Sequence, residues 1–425
     1  MLGSAAAMAD VQPLRALHYD QDVAGPLQDL VAPPYDVIDP AQREELAGRS
    51  PHNVVRIDLP VGDDPYATAA ATLEQWRAEG AVVRDEEPAL WALTQDYTGP
   101  DGTRRTRHGL FARVRVDEYG PGRIRPHERT HPGPKEDRLN LTRATRANLS
   151  PIFSLYSDPT GAAWAAIAPH LAAEPWGEVI DEDGTVNRLW RIADPATIAA
   201  FTDTLAEAEL LIADGHHRYE TARIYAEEIG GEGDHRYVLM NLVAMQDEGL
   251  TIFPTHRLVR DTTSQTQEAL ATSLREHFDI AELGSLDELP PSSGNGPLTL
   301  GYLDAHFKRP FRLTLKDQGI ADEVLAGMPD PYRRLDTAVL EALLLKGPLG
   351  LTDDDIDHQH GLTYSRTDDE ARRMVLDGEV DLAFFLRPSP VGQVQEIAAT
   401  GINMPPKSTY FFPKVPTGLL FNPLV

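Results

Sequence analysis

Between Leu210 and Ala222 the chain reads Leu-Leu-Ile-Ala-Asp-Gly-His-His-Arg-Tyr-Glu-Thr-Ala, a short apolar strand that runs through Asp214-Gly215 straight into a helix with Tyr225 and Ile229 on one face. His216, His217 and Arg218 therefore sit at a helix N-terminus, where free backbone amides and the positive dipole end attract anions. Two imidazoles and a guanidinium add side-chain donors suited to phosphate oxygens. The Asp214 carboxylate, at the strand end, can hold a magnesium ion or orient a nucleophile. The plainer alternative is a capped turn with Asp214 as the cap, for which consecutive His-His-Arg is a poor choice.

A second segment runs from Arg123 to Arg146 and carries seven Arg or Lys residues (123, 125, 129, 135, 138, 143 and 146) against three acids (128, 136 and 137). In an acidic chain this reversal marks an anion-binding surface or an arginine-rich salt-bridge hub. Pro126, Pro132, Gly133 and Pro134 make its first part a loop, where functional groups concentrate. His127-Glu128-Arg129-Thr130-His131 also matches the zinc-peptidase pattern H-E-x-x-H. That chemistry needs both histidines on one helical face. Pro132 disfavours helix at His131 and Pro134 blocks continuation, so the zinc hydrolase is set aside.

Weaker signals lie elsewhere. The stretch Asn403–Lys414 is aromatic and proline-rich, and two of the scarce lysines, Lys407 and Lys414, fall in it. Lys407-Ser408-Thr409 looks like the end of a phosphate loop without its glycine-rich lead. Ala32–Pro40 reads as an extended entry into a helix, with Tyr35 and Asp36 as possible wall residues. His358 and His360, beside acids in an expected loop, make a weak metal candidate.

Composition narrows the field. The 425 residues carry 39 basic and 66 acidic side chains, a net charge of −27, and no cysteine. Absence of cysteine removes disulfides, thiol nucleophiles, cysteine zinc sites and iron–sulfur clusters, so any nucleophile or ligand is oxygen or nitrogen. The negative charge opposes nucleic acid as a partner, since such binding depends on neutralising phosphates. A mean hydropathy of −0.34 and the lack of a long apolar run argue against a membrane span. The first ten residues lack the basic and apolar regions of a secretory signal, and a cytoplasmic location is expected.

Apolar runs alternate with periodic Ala-, Glu- and Arg-rich segments, which predicts an α+β fold with mixed sheets and flanking helices. Strands are expected at 53–59, 89–95, 108–116, 210–213, 237–244 and 298–303, and helices at 40–48, 65–80, 162–171, 195–208, 218–229, 264–278, 335–345 and 368–377. Asp39-Pro40 and Asp194-Pro195 each place a capping carboxylate before a proline at the first helical position. Segments 284–296 and 347–361, the latter with Asp353-Asp354-Asp355 as a solvated loop, read as linkers. The expected division is an N-terminal α/β domain over 9–115, a core over 116–280 holding the basic loop and the Asp-Gly-His-His-Arg turn, and a C-terminal α+β region over 297–425.

Four pieces together, Ala-Pro-Pro-Tyr-Asp-Val-Ile from Ala32, His-Glu-Arg-Thr with Lys-Glu-Asp-Arg, Ala-Asp-Gly-His-His-Arg-Tyr-Glu-Thr-Ala, and Met-Pro-Pro-Lys-Ser-Thr-Tyr-Phe-Phe-Pro-Lys ending at Lys414, resemble the bacterial and archaeal family known as domain of unknown function 1015. They span nearly the whole chain. The Asp-Gly-His-His-Arg turn is also similar to the signature turn of the ParB and sulfiredoxin superfamily, which implies a core of that type with large additions and nucleotide or phosphate binding at the helix N-terminus. The sulfiredoxin branch needs a cysteine that is absent here. The DNA-partitioning branch needs a basic DNA-binding domain. The free-serine kinase branch remains.

The resemblance implies a kinase that uses magnesium and ATP or ADP on a small hydroxyl substrate, with free L-serine as the first candidate. Phosphoryl transfer needs mainly positioning and charge stabilisation. Gly215, His216, His217 and Arg218 would hold phosphates, with His217 also catalytic, and Asp214 would bind magnesium or help to activate the hydroxyl. Glu128 is the expected general base. Arg129, Lys135 and Arg138 would contact nucleotide phosphates or substrate carboxylate, and Lys407 would close the site. The alternatives are a phosphatase or nucleotide hydrolase using the same cradle, and a nucleotide-binding module without turnover. The sequence does not give the oligomeric state.

Overall fold

A computed structural model describes residues 9–99, 101–128, 132–292 and 296–425, and only the helical backbone of 132–134. The chain divides into two compact units, one of Met1–Pro126, Thr130–Thr251 and Pro413–Val425, the other of His127–Arg129 and Ile252–Phe412. The fold is α+β. Among the described residues no helix is long and apolar enough to cross a membrane.

The first unit is built on a nine-stranded mixed sheet. Its strands are β1 (Val11–Gln12), β2 (Leu90–Thr98), β3 (Arg104–Arg115), β4 (Ile124–Arg125), β5 (Ile152–Tyr156), β6 (Gly177–Ile180), β7 (Val186–Ile192), β8 (Leu210–Asp214) and β9 (Tyr237–Ala244). Their spatial order is β4-β8-β5-β9-β3-β2-β7-β6, with β1 added to β3. The pairs β4–β8 and β5–β9 are parallel and the rest antiparallel. Alternation along the strands gives the sheet two different faces. Leu90, Ala92, Leu110, Ala112, Ile152, Ile212, Met240 and Leu242 form one, an apolar core that helices cover.

Those helices are α5 (Ala162–Ile167), α6 (Pro195–Leu205) and α7 (His216–Ile229), which contribute Ile167, Phe201, Leu205, Tyr219 and Ala222. Upstream lie α1 (Pro40–Arg49), α2 (Val55–Asp58), α3 (Pro65–Ala78) and α4 (Pro132–Thr145). The proline-led starts form as their sequences require, because Asp39 accepts from the Gln42 amide at 2.9 Å and Asp194 from that of Thr197 at 2.8 Å. The strand expected at 53–59 is instead the helical turn α2. Asn53 accepts from the Val55 amide at 3.1 Å and turns the chain, so this apolar run is buried without pairing in a sheet. The basic segment also departs from expectation, since α4 starts at Pro132 itself, a position where a proline costs a helix no hydrogen bond.

The second unit holds an antiparallel sheet of β10 (His256–Val259), β11 (Phe278–Glu282), β12 (Thr299–Asp304), β13 (Phe311–Leu315), β14 (Leu362–Ser365) and β15 (Leu382–Phe385), in the order β11-β13-β12-β15-β10-β14. Val259, Leu300 and Phe384 face a core with α8 (Ser264–His277), whereas Leu258, Leu303 and Phe385 face one with α10 (Asp368–Leu376). The three aspartates expected in a loop form the first turn of α9 (Asp353–His358), with Thr352 as the cap. On β12, a Cβ at Gly301 would lie 2.0 Å from the Leu289 carbonyl oxygen, so only glycine lets that backbone approach. Gly301→Ala should lower stability by about 2 kcal/mol in thermal unfolding. Gly392→Ala, in open space on the helix Val391–Ala399, should leave it unchanged or higher.

Candidate functional site

The expected turn forms between β8 and α7. Gly215 takes the left-handed conformation, φ 98°, that lets the strand reverse into a 14-residue helix. The cap position is Gly215 itself, which has no side chain to bond the first helical amides. The alternative in which Asp214 serves as the cap is not what forms.

Asp214 is turned elsewhere by an irregularity in its strand. Leu211 pairs with Leu155 and Ile212 with Ser154, but the register then shifts and Asp214 pairs with Phe153. A bulge of this kind moves a side chain to the other side of the sheet. Asp214 thus leaves the apolar face and lies on that of Phe153. There its Oδ1 accepts from Lys414 Nζ at 2.7 Å and its Oδ2 from Arg218 Nη2 at 2.6 Å. Burial by itself pushes the Asp214 carboxyl up, but Lys414 and Arg218, with His216 nearby, outweigh it and hold the group well below the usual carboxylate range.

Both cations are fixed from behind. Arg218 Nη1 donates to Ser150 Oγ at 2.9 Å and to the Pro151 carbonyl. Lys414 belongs to a C-terminal segment anchored by Phe421 against Leu17 and by Asn422 and Pro423 against Asn148 and Ala147. Its carbonyl accepts from Gln95 Nε2 at 3.0 Å. The sequence named Lys407 as the tail lysine of the site, and the structure adds Lys414, which donates to Asp214. Scarcity of lysine was the signal, and it could not choose between them.

A small cleft beside Arg218 is lined by Tyr35, Asp58, Arg138, Ser150 and Thr221. Arg138, expected at the site, is buried and donates from Nη1 to Asp58 Oδ1 at 3.1 Å, while its guanidinium lies 4.4 Å from the centre of the Tyr35 ring. Burial pushes the Asp58 carboxyl up, against the pull of Arg138 and Arg218. Tyr35 is thus the wall residue expected from Ala32–Pro40. Asp58 was missed, because the run around it reads as an apolar strand. Lys135 sits in α4, which packs on α7, and its carbonyl lies 3.5 Å from Thr221 Oγ1.

Of the remaining expected residues, Glu128 and Lys407 belong to the second unit, and Arg129 lies outside the described residues, as do Thr130 and His131. In the second unit His127 Nε2 is 2.9 Å from Thr409 Oγ1, and Met404 N donates to the His127 carbonyl at 2.8 Å. His127 and Glu128 are not helical, whereas the zinc-peptidase motif requires a helix. Arg257 donates to the Lys407 and Pro406 carbonyls at 3.1 and 3.0 Å, and Glu128 is close enough to favour its charged form. Lys407 itself is exposed, with a left-handed φ of 57°. Among the described residues no group of three or more His, Asp or Glu side chains is gathered to hold a metal ion.

An α+β protein with an uncapped strand-to-helix turn, framed by an aspartate between two cations, is the class that this architecture defines. The chain belongs to the family described as protein of unknown function (DUF1015), whose model matches residues 11–338. No curated protein matches its sequence. Among solved structures it is similar to a conserved hypothetical protein from Pyrococcus furiosus, at 15% identity and a TM-score of 0.36 over 73% of this chain and 93% of that one. It is also similar to a free serine kinase in complex with AMP, at 13% identity and a TM-score of 0.36 over 71% and 86% of the two chains. A third is SbnI with a C-terminal truncation from Staphylococcus aureus, at 11% identity and a TM-score of 0.37 over 74% and 87%. At such TM-scores the likeness assigns no activity.

Asp214→Asn leaves Lys414 and Arg218 without their counter-charge at side chains only 19% and 11% exposed. The variant should lose about 3 kcal/mol at neutral pH, read as a lower melting temperature. Because the folded carboxylate is held low, its contribution is complete above the unfolded value of about 3.9 and fades as pH falls below that. Melting temperature should therefore drop more steeply between about pH 5 and about pH 2 in the wild type than in Asp214→Asn.

Proposed function

We propose that the β8–α7 turn binds nucleotide phosphates and that the protein transfers a phosphoryl group from ATP or ADP to a small hydroxyl substrate, with free L-serine as the first candidate. The observation that carries this reading is the Lys414–Asp214–Arg218 triad at an uncapped helix N-terminus. Phosphoryl transfer asks a protein for fixed positive charge and oriented amides more than for covalent chemistry. Asp214 holds two cations in place, Gly215 gives the backbone its reversal, and His216 and His217 begin the helix beside them. The cradle carries a net positive charge within a chain of net charge −27.

Magnesium would supply charge neutralisation on the phosphates. Both Asp214 oxygens already accept from cations, so Asp214 serves best as the anchor of Lys414 and Arg218, and the ion would enter with the nucleotide. Arg138, paired with Asp58 and Asp137, shapes the neighbouring cleft, and Lys135 is proposed as a further phosphate contact on sequence grounds. Glu128 is proposed as the general base on sequence grounds alone, with Arg129 and Lys407 as further phosphate or carboxylate contacts.

Phosphorus NMR of the protein with magnesium, ATP or ADP, and a panel of hydroxyl acceptors headed by L-serine tests this directly. The expected result is a new phosphomonoester signal that requires serine. Lys414→Met should reduce its rate by about a hundredfold, the scale of losing one fixed donor to a developing charge. Glu128→Gln should abolish it with the melting temperature unchanged, and full activity would remove Glu128 from the reaction. Release of inorganic phosphate independent of acceptor would make the protein a hydrolase. Tight nucleotide binding with no consumption across the panel would make it a binding module.

A further inference from the structure

The interior of the first unit contains polar atoms that the described fold leaves unsatisfied. Arg107 and Asn241 are each 0% exposed, yet Arg107 Nη1 and both amide atoms of Asn241 have no hydrogen-bond partner among the described residues. Buried polar atoms in this state are rare and costly, and a ligand or water is the usual explanation.

Register puts these groups in one strip. The Arg107 side chain leaves β3, crosses the intervening strand β9 and lays its guanidinium 4.4 Å from the centre of the Phe153 ring on β5. Phe153 is the register partner of Asn241 on one side and of Asp214 on the other. All four therefore share one face of the sheet. The Asn241 amide lies where β3 carries Gly109, at which a Cβ would be 2.5 Å from Oδ1. The absence of a side chain at Gly109 leaves the space that the Asn241 amide fills.

Charge bookkeeping sets Arg107 apart from the other deeply buried arginines. Arg138 faces two carboxylates, those of Asp58 and Asp137, and Arg257 donates to three backbone carbonyls. Arg107 has one neutral acceptor, Gln95 Oε1, which receives both Nε and Nη2. Gln95 cannot turn to offer more, because its Nε2 donates to Asn187 Oδ1 at 2.8 Å and to the Lys414 carbonyl. Burial pulls the Arg107 guanidinium down to about 10, which shows how poorly its charge is matched. An anionic acceptor at Nη1 would complete its hydrogen bonds and neutralise this charge.

We propose that Arg107 and Asn241 form a buried oxyanion subsite, which takes a carboxylate or a phosphate from a small ligand that also carries a hydrogen-bond donor. The oxyanion accepts from Arg107 Nη1 and Asn241 Nδ2, and the ligand's hydroxyl, ammonium or acidic proton donates to Asn241 Oδ1. Hydroxy acids, amino acids and hydrogen phosphate have this pattern. The subsite stands whether or not phosphoryl transfer occurs at Asp214.

The full-length protein at low ionic strength, titrated with inorganic phosphate and separately with glycolate, a hydroxy acid, by calorimetry and thermal unfolding, provides the test. At least one of them should bind and raise the melting temperature, and the comparison tells whether the subsite takes phosphate or carboxylate. Arg107→Met and Asn241→Leu should each weaken that binding by about tenfold or more. Arg115→Met, which removes an exposed pair with Glu232, should leave it unchanged. With neither anion added, Arg107→Met should melt no lower than the wild type, because it removes an unneutralised buried charge. If Arg107→Met does not fold, Asn241→Leu decides. Failure of the wild type to bind either anion, or binding that both variants retain, would mean that water alone satisfies these atoms and would overturn the proposal.

Discussion

The first unit converges on the Asp214 carboxylate. One oxygen holds Lys414, which the C-terminal segment brings back after the second unit, and the other holds Arg218, which ties α7 to the Ser150-Pro151 turn before β5. A strand end, a helix start, a distant loop and the C-terminal segment are thus joined through two oxygens. Such a cluster is strong only when every charge is matched, since removal of one partner leaves the others desolvated and uncompensated.

That cluster depends on the bulge in β8. In a regular strand Asp214 would follow Leu210 and Ile212 onto the apolar face, where a carboxylate is costly. One shift of register moves it to the face that already carries Gln95, Arg107 and Asn241. One face carries the apolar core, and on the other these polar groups lie among buried apolar side chains such as Trp91, Leu93 and Phe111.

Buried arginine is the recurrent device of this acidic chain. Asp58 and Asp137 compensate Arg138, backbone carbonyls and the Tyr364 ring compensate Arg257, and a single amide with the Phe153 ring meets Arg107. The desolvation cost is similar in each case, so the quality of the partners separates a structural arginine from one left with binding capacity. None of these partners is close to its arginine in sequence except Asp137, Thr255 and Gln95, and Gln95 is adjacent only through the β2–β3 hairpin.

Local physics made much of this protein legible. The Asp-Gly-His-His-Arg turn, the helices led by Asp39-Pro40 and Asp194-Pro195, and the alternating strands each follow from interactions within a few residues, so sequence by itself determined them. Tyr35 as a wall residue was also legible, as was the placement of Asp214, Gly215, His216, His217 and Arg218 at one turn. An apolar run such as 53–59 has no periodicity that separates a buried strand from a buried helical turn, and Asn53 decided it. Only the tertiary structure brought Lys414 to Asp214, matched Arg138 to Asp58, turned Asp214 across the sheet, and left Arg107 Nη1 and the Asn241 amide buried without a hydrogen-bond partner among the described residues. Those outcomes depend on contacts between residues tens to hundreds of positions apart, and on a register shift whose effect appears only once neighbouring strands are in place. In sequence, Arg107 is one more basic residue in an alternating strand, and burial alone gives its charge a consequence.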